Sequence, residues 1–278
     1  MPANESIHEY YLHQHRNIHN YLELCMVHAD KEVVHELRLS IKKLRAFHKL
    51  AEELCPAEVD ELIHINKRVR RLFRLAGQLR DTQVQIHMLV SVQDNTGIDY
   101  PELNKWLMKR EKKRILRFGR KPLHVLTHAT ADATLHKIGD WLALASDEAI
   151  LKGGGKVLAA LNAKAMKLSA AKMNEQDLHL IRTIIKQIKY ILNIMHHSYP
   201  DFRFSDVSVD SLHKIETSVG NWHDNLVRVE LLDKFMGKSD YEADSQLLDK
   251  YQKLFKSCKA ELNVAYKDAY RIVRNELL

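Results

Sequence analysis

Cysteine is scarce in this sequence: three occur in 278 residues, Cys25, Cys55 and Cys258. An odd, scattered set with no CxxC spacing excludes a disulfide framework and a zinc ribbon. It fits small buried hydrophobes in a reducing cytosol. Five prolines and nine glycines exclude collagen-like and low-complexity chains. No run of about 18 apolar residues is present, so no membrane-spanning helix is expected. The start, MPANESIHEYYLHQH, lacks the basic-then-apolar layout of a signal peptide. These absences together lead us to expect a cytoplasmic protein.

Strand-type alternation is also scarce. Apolar residues instead recur at three and four, as in Val34, Leu37, Ile41, Leu44 and Ala51, and again in Leu178, Ile181, Ile185, Ile188 and Leu192. The fold class expected is all-α, with about eight to ten long helices. Breakers fall at CPAE, NTGIDYP, FGRKP, LKGGGK, SYPD and MGKSD. The triple glycine at 153–155 reads as a linker near the midpoint. It is no P-loop, because GxxxxGK[ST] spacing and a preceding strand are both missing.

Charge is unevenly placed. The formal net charge is +7, yet residues 62–121 alone hold 15 Lys or Arg against 5 Asp or Glu, a local surplus larger than that of the whole chain. Such a surplus biases the partner towards an anion without saying anything about fold.

Two signatures occur twice. HELRLSIKKLR (His35 to Arg45) is echoed by HLIRTIIKQIK (His179 to Lys189), and GQLRDTQV (Gly77 to Val84) by GNWHDNLV (Gly220 to Val227). His35 precedes Asp81 by 46 residues, and His179 precedes Asp224 by 45. Two signatures held at one spacing argue for a duplicated helical half, over 4–140 and 150–278, within a single domain spanning 1–278. On a helix, His35, Arg38, Lys42 and Arg45 fall within an arc of about 80°. Lys31 and Lys49 extend that stripe, and His179, Arg182, Lys186 and Lys189 rebuild it. Ordinary solvated faces mix signs for i,i+4 pairing. A same-sign row gains little unless an anion lies along it. Lys67, Arg71 and Arg74 form a further row, as do Arg110, Arg114, Arg117 and Lys121. Their axial spacing of roughly 4.5–6 Å suits a linear polyanion better than a single small phosphate.

These paired signatures resemble those of CHAD domains, histidine-bearing α-helical domains that bind inorganic polyphosphate. The resemblance covers nearly the whole chain. It implies two four-helix halves about a pseudo-twofold axis, with basic stripes lining a shared central channel for polyphosphate, and an association with polyphosphate granules. It implies no catalysis, cofactor or metal. Carried over, the first signature gives His35, Arg38, Lys42, Lys43 and Arg45, and its copy gives His179, Arg182, Lys186 and Lys189. The later signature gives Arg80 and Asp81, then His223 and Asp224, with His223 standing where an arginine is expected. Lys214, Lys253 and Lys256 complete the candidate set. Gln187 replaces the base at Lys43, and Asp210 and Thr217 stand opposite Lys67 and Arg74, so the second half is expected to bind more weakly. The two aspartates read as acceptors orienting basic side chains, or as packing salt bridges.

Other signals carry less. His15 with His19, and His124 with His128, have i,i+4 metal spacing but no accompanying acidic or cysteine ligands. Trp106, Trp141 and Trp222 sit at core spacings. A nucleic-acid-binding helical protein is the first alternative. It is disfavoured because the stripes are nearly free of the aromatics on which bases would stack. A histidine-dependent phosphohydrolase or phosphotransferase is the second, although no acidic cluster for Mg²⁺ accompanies the histidines.

Overall fold

The structure, a computed structural model, describes residues 3–54, 56, 59–120, 137, 141, 145–204, 206, 208–237 and 245–278. Eight helices and no strand occur among them: α1 (Ala3–Val27), α2 (Lys31–Leu54), α3 (Val59–Thr96), α4 (Pro101–Arg120), α5 (Asp147–Ala170), α6 (Glu175–Ser198), α7 (Val209–Met236) and α8 (Ser245–Leu277). The fold is all-α.

Local chemistry sets several helix starts. Asp30 Oδ1 accepts from the Val33 amide at 2.8 Å and caps α2. Asn174 Oδ1 accepts from the Gln176 and Asp177 amides at 2.8 and 3.0 Å, and Asp177 Oδ2 accepts in return from the Asn174 amide, a reciprocal cap on α6. Ser208 caps α7 through the Ser211 amide. Pro101 occupies the first position of α4, where no amide hydrogen is needed. α3 stops before Gly97, whose φ of 66° a side chain would resist.

Five of the six expected breakers fall at helix ends. LKGGGK does not: residues 153–155 lie inside α5, so the expected linker is corrected to a helix interior. The reason is close packing. A Cβ on Gly153 would collide with the Leu54 side chain, and one on Gly154 would lie 2.7 Å from the methyl carbon of Met195. Neighbouring side chains fill the space that these residues lack.

Two compact units contain the described residues. The first comprises Met1–Arg80, Glu111–Ala163 and Lys186–Asp206. Its α2 buries Leu37, Ile41, Leu44 and Phe47, and Phe47 stacks on Tyr11 of α1 at 4.4 Å. The second comprises Asp81–Arg110, Lys164–Ile185 and Val207–Leu278. Its core gathers Leu89, Leu103, Leu107, Leu232, Phe235 and Tyr251. There the Tyr251 hydroxyl donates to Glu102 at 2.8 Å and accepts from the Leu103 amide at 3.2 Å. Each unit therefore draws on both halves of the sequence.

Candidate anion-binding surface

In the first unit, α2 meets α3 along the basic row. The apolar side of α2 is sealed, with Val34, Leu37, Ile41 and Leu44 at 0% exposure, which leaves the row His35, Arg38, Lys42 and Arg45 on the more open side. Arg80 Nη1 of α3 donates to the Lys31 carbonyl at 2.9 Å, and its charge bears on His35. Arg38 lies 4.5 Å over the Phe73 ring and donates to the Phe73 carbonyl at 3.4 Å. Arg45 lies over the same ring at 5.5 Å and feels the charge of Arg70. Residue numbers fall along α3 as they rise along α2, as antiparallel neighbours require.

The α3 partners Arg70, Phe73, Gly77 and Arg80 repeat the three-four-three rhythm of the α2 row. One stripe therefore lies on another. Gly77 is what allows the approach: a Cβ there would run into the Arg38 guanidinium. Three of these residues were missed by sequence reasoning. Arg70 stood one step off the chosen row, and Phe73 and Gly77 are not ionic. Their shared face with Arg80 was the available signal. Phe73 also qualifies the aromatic-poor reading of the stripes, although two guanidinium groups engage its ring.

The electrostatics are those of cations held close. Burial, then the charges of Arg80 and Lys42, lowers the pKa of His35 below its ordinary value. Burial, then Arg70, lowers that of Arg45. Among the described residues no carboxylate pairs with Lys67, Arg70, Arg71, Arg74 or Arg117, which project from α3 and α4 into solvent. Lys43, Lys186 and Lys189 are half-buried in this unit. Arg114 donates to the Gln78 carbonyl. Lys49 is held by Glu52 at 2.8 Å. Lys121, together with His124 and His128, lies outside the described residues.

The second unit holds the corresponding contact in altered form. His179 of α6 meets the second signature of α7, with its ring 4.7 Å from Trp222 and 5.1 Å from His223. The signature histidine thus faces the residue before the aspartate in both copies, Arg80 in one and His223 in the other. Burial, then Arg182, lowers the His179 pKa. Gly220, the counterpart of Gly77, has nothing within 4 Å of where a Cβ would sit. Arg110 lies 5.2 Å over the Trp106 ring. Lys214 is held by Glu276 at 2.9 Å and Lys253 by Asp249 at 2.7 Å, whereas Lys256 is exposed. The Asp224 carbonyl accepts from Gln85 Nε2.

Trp222 is fully buried and Trp106 packs edge-on against Phe235. Cys25 and Cys258 are buried free thiols. His15 and His19 have their rings 5.1 Å apart, and no group of three or more metal-ligating side chains occurs among the described residues.

The sequence pattern of the CHAD domain family matches residues 10–233. The chain belongs to the CHAD family. Among solved structures, the CHAD domain from the plant Ricinus communis superposes with a TM-score of 0.71 at 16% identity, covering 100% of this chain and 92% of that one. PptA from Streptomyces chartreusis superposes with a TM-score of 0.67 at 11% identity, covering 98% and 99%. Among curated proteins none matches the sequence. The CHAD signatures are thus the segments where α2 meets α3 and α6 meets α7. Among the described residues no helix of this CHAD protein is long and apolar enough to cross a membrane.

Proposed function

We propose that this CHAD protein binds inorganic polyphosphate along its basic rows, without catalysing a reaction, and that it does so at polyphosphate granules. The observation that carries the reading is the α2–α3 surface. There His35, Arg38 and Arg45 of one helix pack against Arg70 and Arg80 of the next around Phe73 and Gly77. Cations as close as Arg45 and Arg70 repel, and the arrangement gains stability once a polyanion lies on it. The contact between signatures in each copy supports the duplicated-half reading. Ion pairing of Lys214 and Lys253, with open space at Gly220, supports a weaker second half.

The test is a titration with polyphosphate and with single-stranded DNA of equal charge. Affinity for polyphosphate is expected to fall steeply as salt rises, because several cations displace counterions. Polyphosphate is expected to bind more tightly than DNA at the same salt. Equal affinity for both would transfer the reading to nucleic acid. Orthophosphate release with Mg²⁺ present would transfer it to hydrolysis.

Acidity supplies a second measurement. His35 and His179 have folded pKa values below the ordinary 6.5, so the unfolded chain binds more protons between the lowered values and 6.5. The free protein should therefore lose thermal stability as pH drops through 6.5 and below. A bound polyanion favours the imidazolium, so polyphosphate affinity should rise over the same window. Melting curves and calorimetry at pH 7.5 and 5.5 check both directions.

A further inference from the structure

A pocket of about 550 Å³ opens in the second unit, lined by none of the signature residues. The end of α3 supplies Met88, Ser91, Val92 and Asn95, α7 supplies Arg228, and α8 supplies Leu254, Ser257, Cys258 and Glu261. Its size falls in the range of small-molecule sites. Beside it lies a small apolar pit of about 30 Å³ that shares Met88, Val92, Leu254 and Cys258 and adds Leu89, Leu103 and Leu107. Arg228 lines both.

Arg228 is poorly satisfied for a cation so enclosed. Its side chain is 17% exposed, and Nε is buried with no acceptor among the described residues. Nη2 meets the Met88 sulfur at 3.6 Å, and the guanidinium also bonds to the Cys258 thiol, both weak acceptors. Nη1 donates to Glu261 at 2.6 Å, but that carboxylate is 53% exposed and sits at the solvent side. The guanidinium therefore has one strong acceptor, and that acceptor is able to swing away.

We propose that this pocket binds a small organic carboxylate with a short hydrocarbon body. The carboxylate takes the place of Glu261 on Arg228, and the hydrocarbon lies on Met88, Val92 and Leu254 towards the pit. A carboxylate is favoured because the group it displaces is one, with the same charge and the same fork geometry towards guanidinium. Ser91, Asn95 and Ser257 offer hydrogen bonds at the mouth. Glu261 acts as a resident competitor for the same cation.

The test follows the Met88 methyl resonance of the full chain, identified with Met88→Leu, during titration with octanoate and with 1-octanol. Octanoate is expected to give a saturable shift at least about tenfold tighter than octanol, the margin of a charge-assisted bond. Glu261→Gln is expected to tighten octanoate several-fold and leave octanol unchanged. Arg228→Met is expected to erase the difference between the two, with helix content by circular dichroism confirming that it folds. Should that variant not fold, Glu261→Gln still decides. Equal binding of octanoate and octanol, no saturable shift, or an unaltered octanoate affinity in Glu261→Gln would each overturn the proposal.

Discussion

Replacing Arg38 and Arg45 together with alanine is expected to weaken polyphosphate binding by about 100-fold or more, while Arg182→Ala with Lys189→Ala costs about tenfold. A hydrogen bond to a charged group contributes roughly 1.5–3 kcal/mol net, about tenfold or more in affinity. Arg38 and Arg45 share the Phe73 ring, so both are oriented before the ligand arrives and little side-chain freedom remains to be lost. Arg182 stands beside His179, whose pKa burial and the Arg182 charge together lower. Helix content should persist in both variants, since the buried side of α2 is Leu37, Ile41 and Leu44. Calorimetric titration of the two double variants checks the ranking. A larger loss from the second pair would refute the lopsided site while leaving the family assignment intact.

Gly77→Ala is expected to lower polyphosphate affinity by about tenfold while leaving stability unchanged or slightly raised. Stability and binding part company for a physical reason. Alanine in a helix interior is favoured over glycine by about 1 kcal/mol. The atom that a Cβ would strike is the terminal nitrogen of Arg38, the mobile end of a long side chain, so the helices need not move. What moves is the guanidinium, off its seat on Phe73. Gly220→Ala meets open space and should leave affinity within about twofold. Thermal melts with parallel titrations check both. Loss of affinity at Gly220 but not at Gly77 would refute the account of Arg38 given above.

Much of this was legible in the sequence because helical periodicity is a strong signal over long stretches. Leu37, Ile41 and Leu44 announced both the buried face of α2 and, by exclusion, its basic face. The pairing of signatures announced the family. Less legible was anything that depends on which helix lies against which. Arg70, Phe73 and Gly77 matter through α2, and nothing in their own neighbourhood says so. The triple glycine misled because glycine marks both loops and close helix contacts, and only the positions of Leu54 and Met195 decide between them. Lys253 was readable after all, since Asp249 stands four residues before it. The Lys214–Glu276 pair spans 62 residues and was not.

The stacking of one basic row on another has a consequence for the empty protein. With Arg45 set against Arg70, the free molecule is a loaded spring of like charge, holding work done against repulsion by the burial of its apolar faces. Dissolved ions relax that spring, and so does polyphosphate, which makes them rivals for one field. Added salt should then raise the melting temperature of the free protein in the same range where it strips the ligand away, so that one variable tightens the fold as it empties the site.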